Sequence, residues 1–252
     1  MTNHLPRRAL LGALLAGIPL SAQSQSIMEL GKSFLNSQNR KTGGGSGLGA
    51  GLSPAQIGGG LKEALQIASR HVVGQLGRVD GFNGDPLIRI ALPGPLQQVA
   101  GILRALSQAG LMDDLQTKMN RAAEQAVPKA LDIFTGAITR MTIADAQGIL
   151  MGPNDGATQY FRRTTSNELT SSFSPIVDKS LSSVGAVKAL QYAQTRTASL
   201  PVGGDMIKNF NLTNYVVGKS LDGVFHYLAT EEADIRANPA ARTTDLLRKV
   251  FG

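Results

Sequence analysis

Apolar residues recur at three- and four-residue spacing through Leu111, Leu115, Met119, Ala122, Ala123, Ala126 and Val127, and no other feature constrains the fold so tightly. That is the period of one helix face. Pro128 cannot donate a backbone hydrogen bond, so the helix kinks or a new one opens there. Leu131, Phe134, Ile138 and Met141 form a second stripe. Thr142 with Asp145 reads as the cap of a third helix, which Gly152-Pro153 ends. Asp155 caps the next, which carries Tyr160, Phe161, Arg162 and Arg163. The hinges between these segments are short, so the helices must fold back on one another.

The same logic extends outward. Ser53-Pro54-Ala55-Gln56 is a capping box with proline at the first helical position. Its helix presents Leu61, Leu65, Ala68, Val72 and Leu76 on one face and stops at Gly77. Residues 80–86 are turn-rich, and Leu87, Ile88, Ile90 and Leu92 make a brief extended run closed by Pro93-Gly94-Pro95. A helix follows over 96–107. Thr165 with Glu168 reads as a further capping box, and 184–199 as a helix stopped by Pro201. Phe210 and Leu212 alternate with polar residues and could pair with the earlier extended run. Thr213 opens a long helix to Ala237, Pro239 breaks it, and a short helix closes the chain. The expectation is a single all-α domain over 53–252, with about nine helices and at most one short two-stranded β element.

The N-terminus has a different composition. Arg7 and Arg8 precede an apolar run from Ala9 to Leu20 and then small residues, the three-part pattern of a secretory signal over 1–24. The run is about twelve residues, short of the ~20 that span a bilayer. The flanks of the arginine pair match the twin-arginine export motif poorly, which favours ordinary secretion and a periplasmic location. Residues 25–52 read as a flexible Gly-rich tether, because a run such as Gly43–Gly51 cannot bury enough surface to offset its ordering entropy. The chain has no cysteine, so it forms no disulfides and carries no lipoprotein attachment site.

The segments GLKEAL, IRIALPGPL, MNRAAEQAVPKA, ATQYFRRTT and NPAARTTDLLRKVFG resemble a bacterial family catalogued only as a domain of unknown function. The resemblance covers 53–252. It implies a shared helical fold and an envelope location, and it carries over no catalytic residue.

Charge and motif usage exclude several classes. A formal net charge of +7, reduced by two when Arg7 and Arg8 are removed, is scattered without a basic run, which argues against nucleic-acid binding. No Gly-x-Ser-x-Gly elbow occurs, and Gly218-Lys219-Ser220 lacks the opening glycine of a phosphate loop. Asp222 and His226 share a helix face but supply two ligands where zinc takes three or four. No cofactor is expected, and no transmembrane segment in the mature chain. The polar candidates are Asn120, Arg121 and Glu124 on one helix, Tyr160 and Arg163 on another, and Glu231, Glu232, Arg236, Asn238 and Arg242 near the end. They fit helix-end clamps better than acid–base chemistry, because adjacent carboxylates on a helix diverge by about 100°. The sequence thus favours a non-enzymatic exported module for a lipid-like ligand or an envelope protein. The alternative is a hydrolase or transferase with a Glu/Arg cleft.

Overall fold

The computed structural model describes residues 52–94, 96–97, 100–101, 110–182, 210–237, 248 and 250. Among them are six bounded α-helices, one 3-10 turn and no strand. The helices are α1 (Pro54–Leu76), α2 (Gly110–Ala126), α3 (Ala130–Arg140), α4 (Ile143–Met151), α5 (Gly156–Ser182) and α6 (Leu212–Ala237). The 3-10 turn Val127–Lys129 sits at Pro128, where the missing N–H interrupts the α2 ladder and α3 begins.

Local signals hold where expected. Ser53 accepts from the Gln56 amide while the Gln56 side chain accepts from Ser53 N–H, and Thr142 with Asp145 does the same for α4. These bonds, from the Thr142 hydroxyl first, hold the Asp145 carboxyl below its ordinary range. Gly77 and Gly152 end α1 and α4.

Three expectations are corrected. The capping box read at Thr165–Glu168 is no helix start: α5 runs unbroken through it. The hydroxyls that signal a cap instead bond back one turn, Thr164 to the Tyr160 carbonyl, Thr165 to Phe161 and Ser166 to Arg162. The cap of α6 is Asn211, whose side chain accepts from Asn214 N–H at 2.8 Å; Thr213 bonds Asp178. The β element is also unsupported, because Leu212 is already helical, residues 86–88 form a turn, and Ile90 finds a side chain as its partner. With six α-helices bounded among the described residues, the count of nine is not supported. The proposed signal, nearly all of the tether, the 184–199 helix and most of the closing helix lie outside the described residues.

One apolar core joins the described helices. α5 packs along α6 and also against α2, α3 and α4, while α1 packs on α3, α4 and α6. Phe134, Phe161 and Phe225, all fully buried, bring α3, α5 and α6 together, with ring centroids 4.8 and 6.4 Å apart. The connection after α1 is anchored by Phe82, whose ring lies on bare α6 backbone at Gly223. A Cβ at Gly223 would stand 2.7 Å from Phe82 Cε1 and 3.3 Å from Ile88 Cβ. Gly223→Ala therefore sets a helix-propensity gain of about 1 kcal/mol against overpacking of about 1–3 kcal/mol. Phe82 is fully buried and has nowhere to move, so the clash wins. The variant is expected to show a lower urea midpoint with an unchanged slope.

Candidate functional site

The candidate polar residues do not converge on one cleft. The structure sorts them into two separate clamps with a common design and a remainder that belongs to neither.

The first clamp lies on the last turns of α2. Glu124 is 3% exposed, and its Oε1 accepts both the Phe82 and the Asn83 N–H at 3.1 Å. Two successive amides on one carboxylate fix the turn that follows α1. Arg121, one helical turn earlier, donates to Glu124 Oε2 at 2.7 Å and to Asp80 Oδ1 at 2.8 Å. Asp80 itself sits in the left-handed region at φ 63, which short Asp side chains tolerate better than most. A bond from the Asn83 amide, then Arg121, holds the Asp80 carboxyl below its ordinary value. Glu124 in turn raises the already high value of Arg121. Asn120, fully buried on the same helix, grips the next piece of chain. It accepts from Ile90 N–H at 2.8 Å and donates to the Ile90 carbonyl at 2.9 Å.

The second clamp lies on α6 and stitches the connection between α4 and α5. Glu232 accepts the Ala157 and Thr158 N–H groups at 2.9 Å each, and the Thr158 hydroxyl at 3.0 Å. These amides are orphan donors of the first turn of α5, so Glu232 does the capping assigned by sequence to Asp155. The Asp155 carboxylate is engaged by the Gln159 side chain instead. Arg236 binds Glu232 at 3.0 Å and also donates to the Ile149 and Leu150 carbonyls at the end of α4. An anion thus sits at a helix N-terminus and a cation at a helix C-terminus, the arrangement that both macrodipoles favour.

The remaining candidates do other work. Glu231 points away from Glu232 and pairs with His71 of α1 at 2.6 Å, where the histidine side chain is 61% exposed. Tyr160 donates to the Ala137 carbonyl, and burial pushes its hydroxyl above the ordinary range. Arg163 lies over the Tyr160 ring, 5.7 Å from its centroid. Asn238 and Arg242 lie outside the described residues. Sequence reasoning missed Asp80, Asn83 and His71; the Asp80-Gly81 pair signals a turn but not what holds it.

Arg121 of the first clamp lines an open groove of about 720 Å³ with Lys118, Gln125, Ile176 and Lys179, whereas the Glu232 clamp opens into no chamber. The apolar cleft beside Glu232, walled by Leu61, Leu65, Phe161 and Leu228, has a volume of about 20 Å³, room for about one water. Asp222 is engaged by Lys219 at 3.3 Å and Arg162 at 3.9 Å. Among the described residues no three His, Asp or Glu side chains converge as metal ligands, and no helix is long and apolar enough to cross a membrane.

Fold and site together define an all-α protein whose connections are held by buried Glu–Arg pairs. The chain belongs to the family described as Protein of unknown function (DUF4197), which it matches over residues 51–252. No curated protein and no solved structure matches it.

Proposed function

We propose that the chain is an exported, non-enzymatic helical module that binds a protein partner in the cell envelope. The observation that carries this reading is the employment of Glu124 and Glu232. Each carboxylate already accepts two backbone amides and an arginine, so the pair a Glu/Arg cleft would need is saturated by structure. A general base must reach a substrate proton, and these face their own chain. The lipid-like ligand is the weaker option, since the apolar cleft beside Glu232 holds about 20 Å³ against the ≈ 300–1,000 Å³ of ligand pockets, and the groove of about 720 Å³ at Arg121 is an open trough rimmed by Lys118, Arg121 and Lys179. Export rests on the arginine pair and apolar run of residues 1–24.

Two measurements test the reading. N-terminal sequencing of the protein from its own cells is expected to find a mature chain that starts near Gln23 or Gln25, in the periplasmic fraction. A retained Met1 on cytoplasmic protein would overturn export. Native mass spectrometry of the protein isolated from the envelope is expected to show a stoichiometric protein adduct. A retained adduct of lipid size would move the assignment to the lipid ligand, and turnover of an envelope substrate by the pure protein would move it to the enzyme.

A further inference from the structure

The run from Ile88 to Leu92 leaves a turn at residues 86–88 and continues from Arg89 as extended chain that belongs to no sheet. Its side chains alternate strictly, with Ile88, Ile90 and Leu92 buried and Arg89 and Ala91 exposed. One edge is paired: the Asn120 amide offers Ile90 the same acceptor and donor that a neighbouring strand residue would offer. In an extended chain the groups of residues 89 and 91 point to the opposite edge. There the Arg89 N–H is used by the Asp85 carbonyl, and the Ala91 carbonyl by the Tyr215 hydroxyl of α6 at 3.0 Å. Among the described residues no hydrogen bond falls on the Arg89 carbonyl or the Ala91 N–H. Those two groups are the acceptor and donor that one residue of a parallel strand would bridge.

The free edge faces α6, as the Tyr215 contact requires, and a groove of about 420 Å³ runs between them. Leu87, 75% exposed, offers an apolar contact at one end. The charged groups around the groove are Arg89, Lys219, Asp222 and His226, with Arg162 of α5 behind Asp222. Asp222 is already engaged by Lys219 and Arg162, and Asp85 by the Tyr227 hydroxyl. The surplus is cationic.

From this edge and this charge we infer that the groove between residues 88–92 and α6 docks an extended, acidic segment of a partner protein, which adds as a parallel strand. The inference rests on the protein-partner reading above and gives it a place and a chemistry. Main-chain bonds to Arg89 and Ala91 supply affinity, and the cationic wall selects the side chains. Every group the fold itself uses on this run stays in use.

The test uses the full chain and two synthetic octapeptides with blocked ends, one alternating threonine with aspartate and the other threonine with lysine. Nuclear magnetic resonance follows the Ala91 amide. The acidic peptide is expected to shift that amide and slow its hydrogen exchange, and the lysine peptide to bind at least about tenfold more weakly. Ala91→Pro removes the free N–H at a position whose neighbours are extended, and it is expected to lose binding while keeping its thermal midpoint. Lys219→Glu, which leaves the backbone untouched, is expected to lose it as well. Acidic-peptide binding that survives both changes, or an Ala91 amide that neither peptide perturbs, overturns the proposal. So does an Ala91 amide already protected in the free protein, whether by the chain itself or by a second copy. If the envelope adduct seen by native mass spectrometry persists in Ala91→Pro, the edge is wrong and the protein-partner reading stands.

Discussion

Glu232→Ala is expected to lower the unfolding free energy by about 3–5 kcal/mol, the cost of breaking one side of a buried pair. The loss has two sources. The Ala157 and Thr158 amides lose their acceptor at the start of α5. Arg236, whose side chain is 12% exposed, keeps the α4 carbonyls but loses the Glu232 carboxylate. Natural domains hold only about 5–15 kcal/mol in total, so the variant should unfold early in urea. The control is one residue away. Glu231→Ala removes only an exposed pair with His71, so its effect should stay within about 1 kcal/mol. Urea unfolding of the two variants side by side measures the difference. Equal midpoints would mean that Glu232 is no clamp.

Glu124→Ala is expected to cost about 2–4 kcal/mol by the same physics, since each buried donor left without a partner costs about 1–3 kcal/mol. Here the Phe82 and Asn83 amides lose their acceptor, and Arg121 keeps only Asp80. The effect falls below that of Glu232 because Arg121 and Asn83 are partly exposed and water can reach them. Glu124→Gln should recover part of the loss, because its amide oxygen still accepts from both backbone groups. A Gln variant as unstable as the Ala variant would place the stabilisation in the charge rather than in the capping bonds.

These clamps also mark where sequence reading ends. Helix starts such as Ser53–Gln56 and Thr142–Asp145, and the break at Pro128, are legible because both partners lie within three residues. The cap of α5 is not, because its acceptor comes from Glu232, 75 residues from Ala157. Thr165 misleads for a related reason: a hydroxyl caps a helix or bonds back inside one, and local sequence does not decide which. The extended run expected at Leu87–Leu92 is no strand: residues 86–88 form a turn, and Ile90 meets only the single side chain of Asn120. Among the site candidates, helical spacing paired Arg121 with Glu124 and left open which turn they face. Residue type alone cannot separate Glu231 from Glu232; a rotation of about 100° puts one half-buried beside His71 and the other in the core.

Glu124 and Glu232 are spent on backbone amides. Hydrogen exchange at Phe82, Asn83, Ala157 and Thr158 in the wild-type protein tests this most directly. First-turn and loop amides exchange quickly unless something accepts from them. The account predicts slow exchange at Ala157 and Thr158, lost selectively in Glu232→Ala while Phe82 and Asn83 stay protected, and the converse in Glu124→Ala. Fast exchange at all four amides in the wild type would contradict it and leave both carboxylates free for acid–base chemistry.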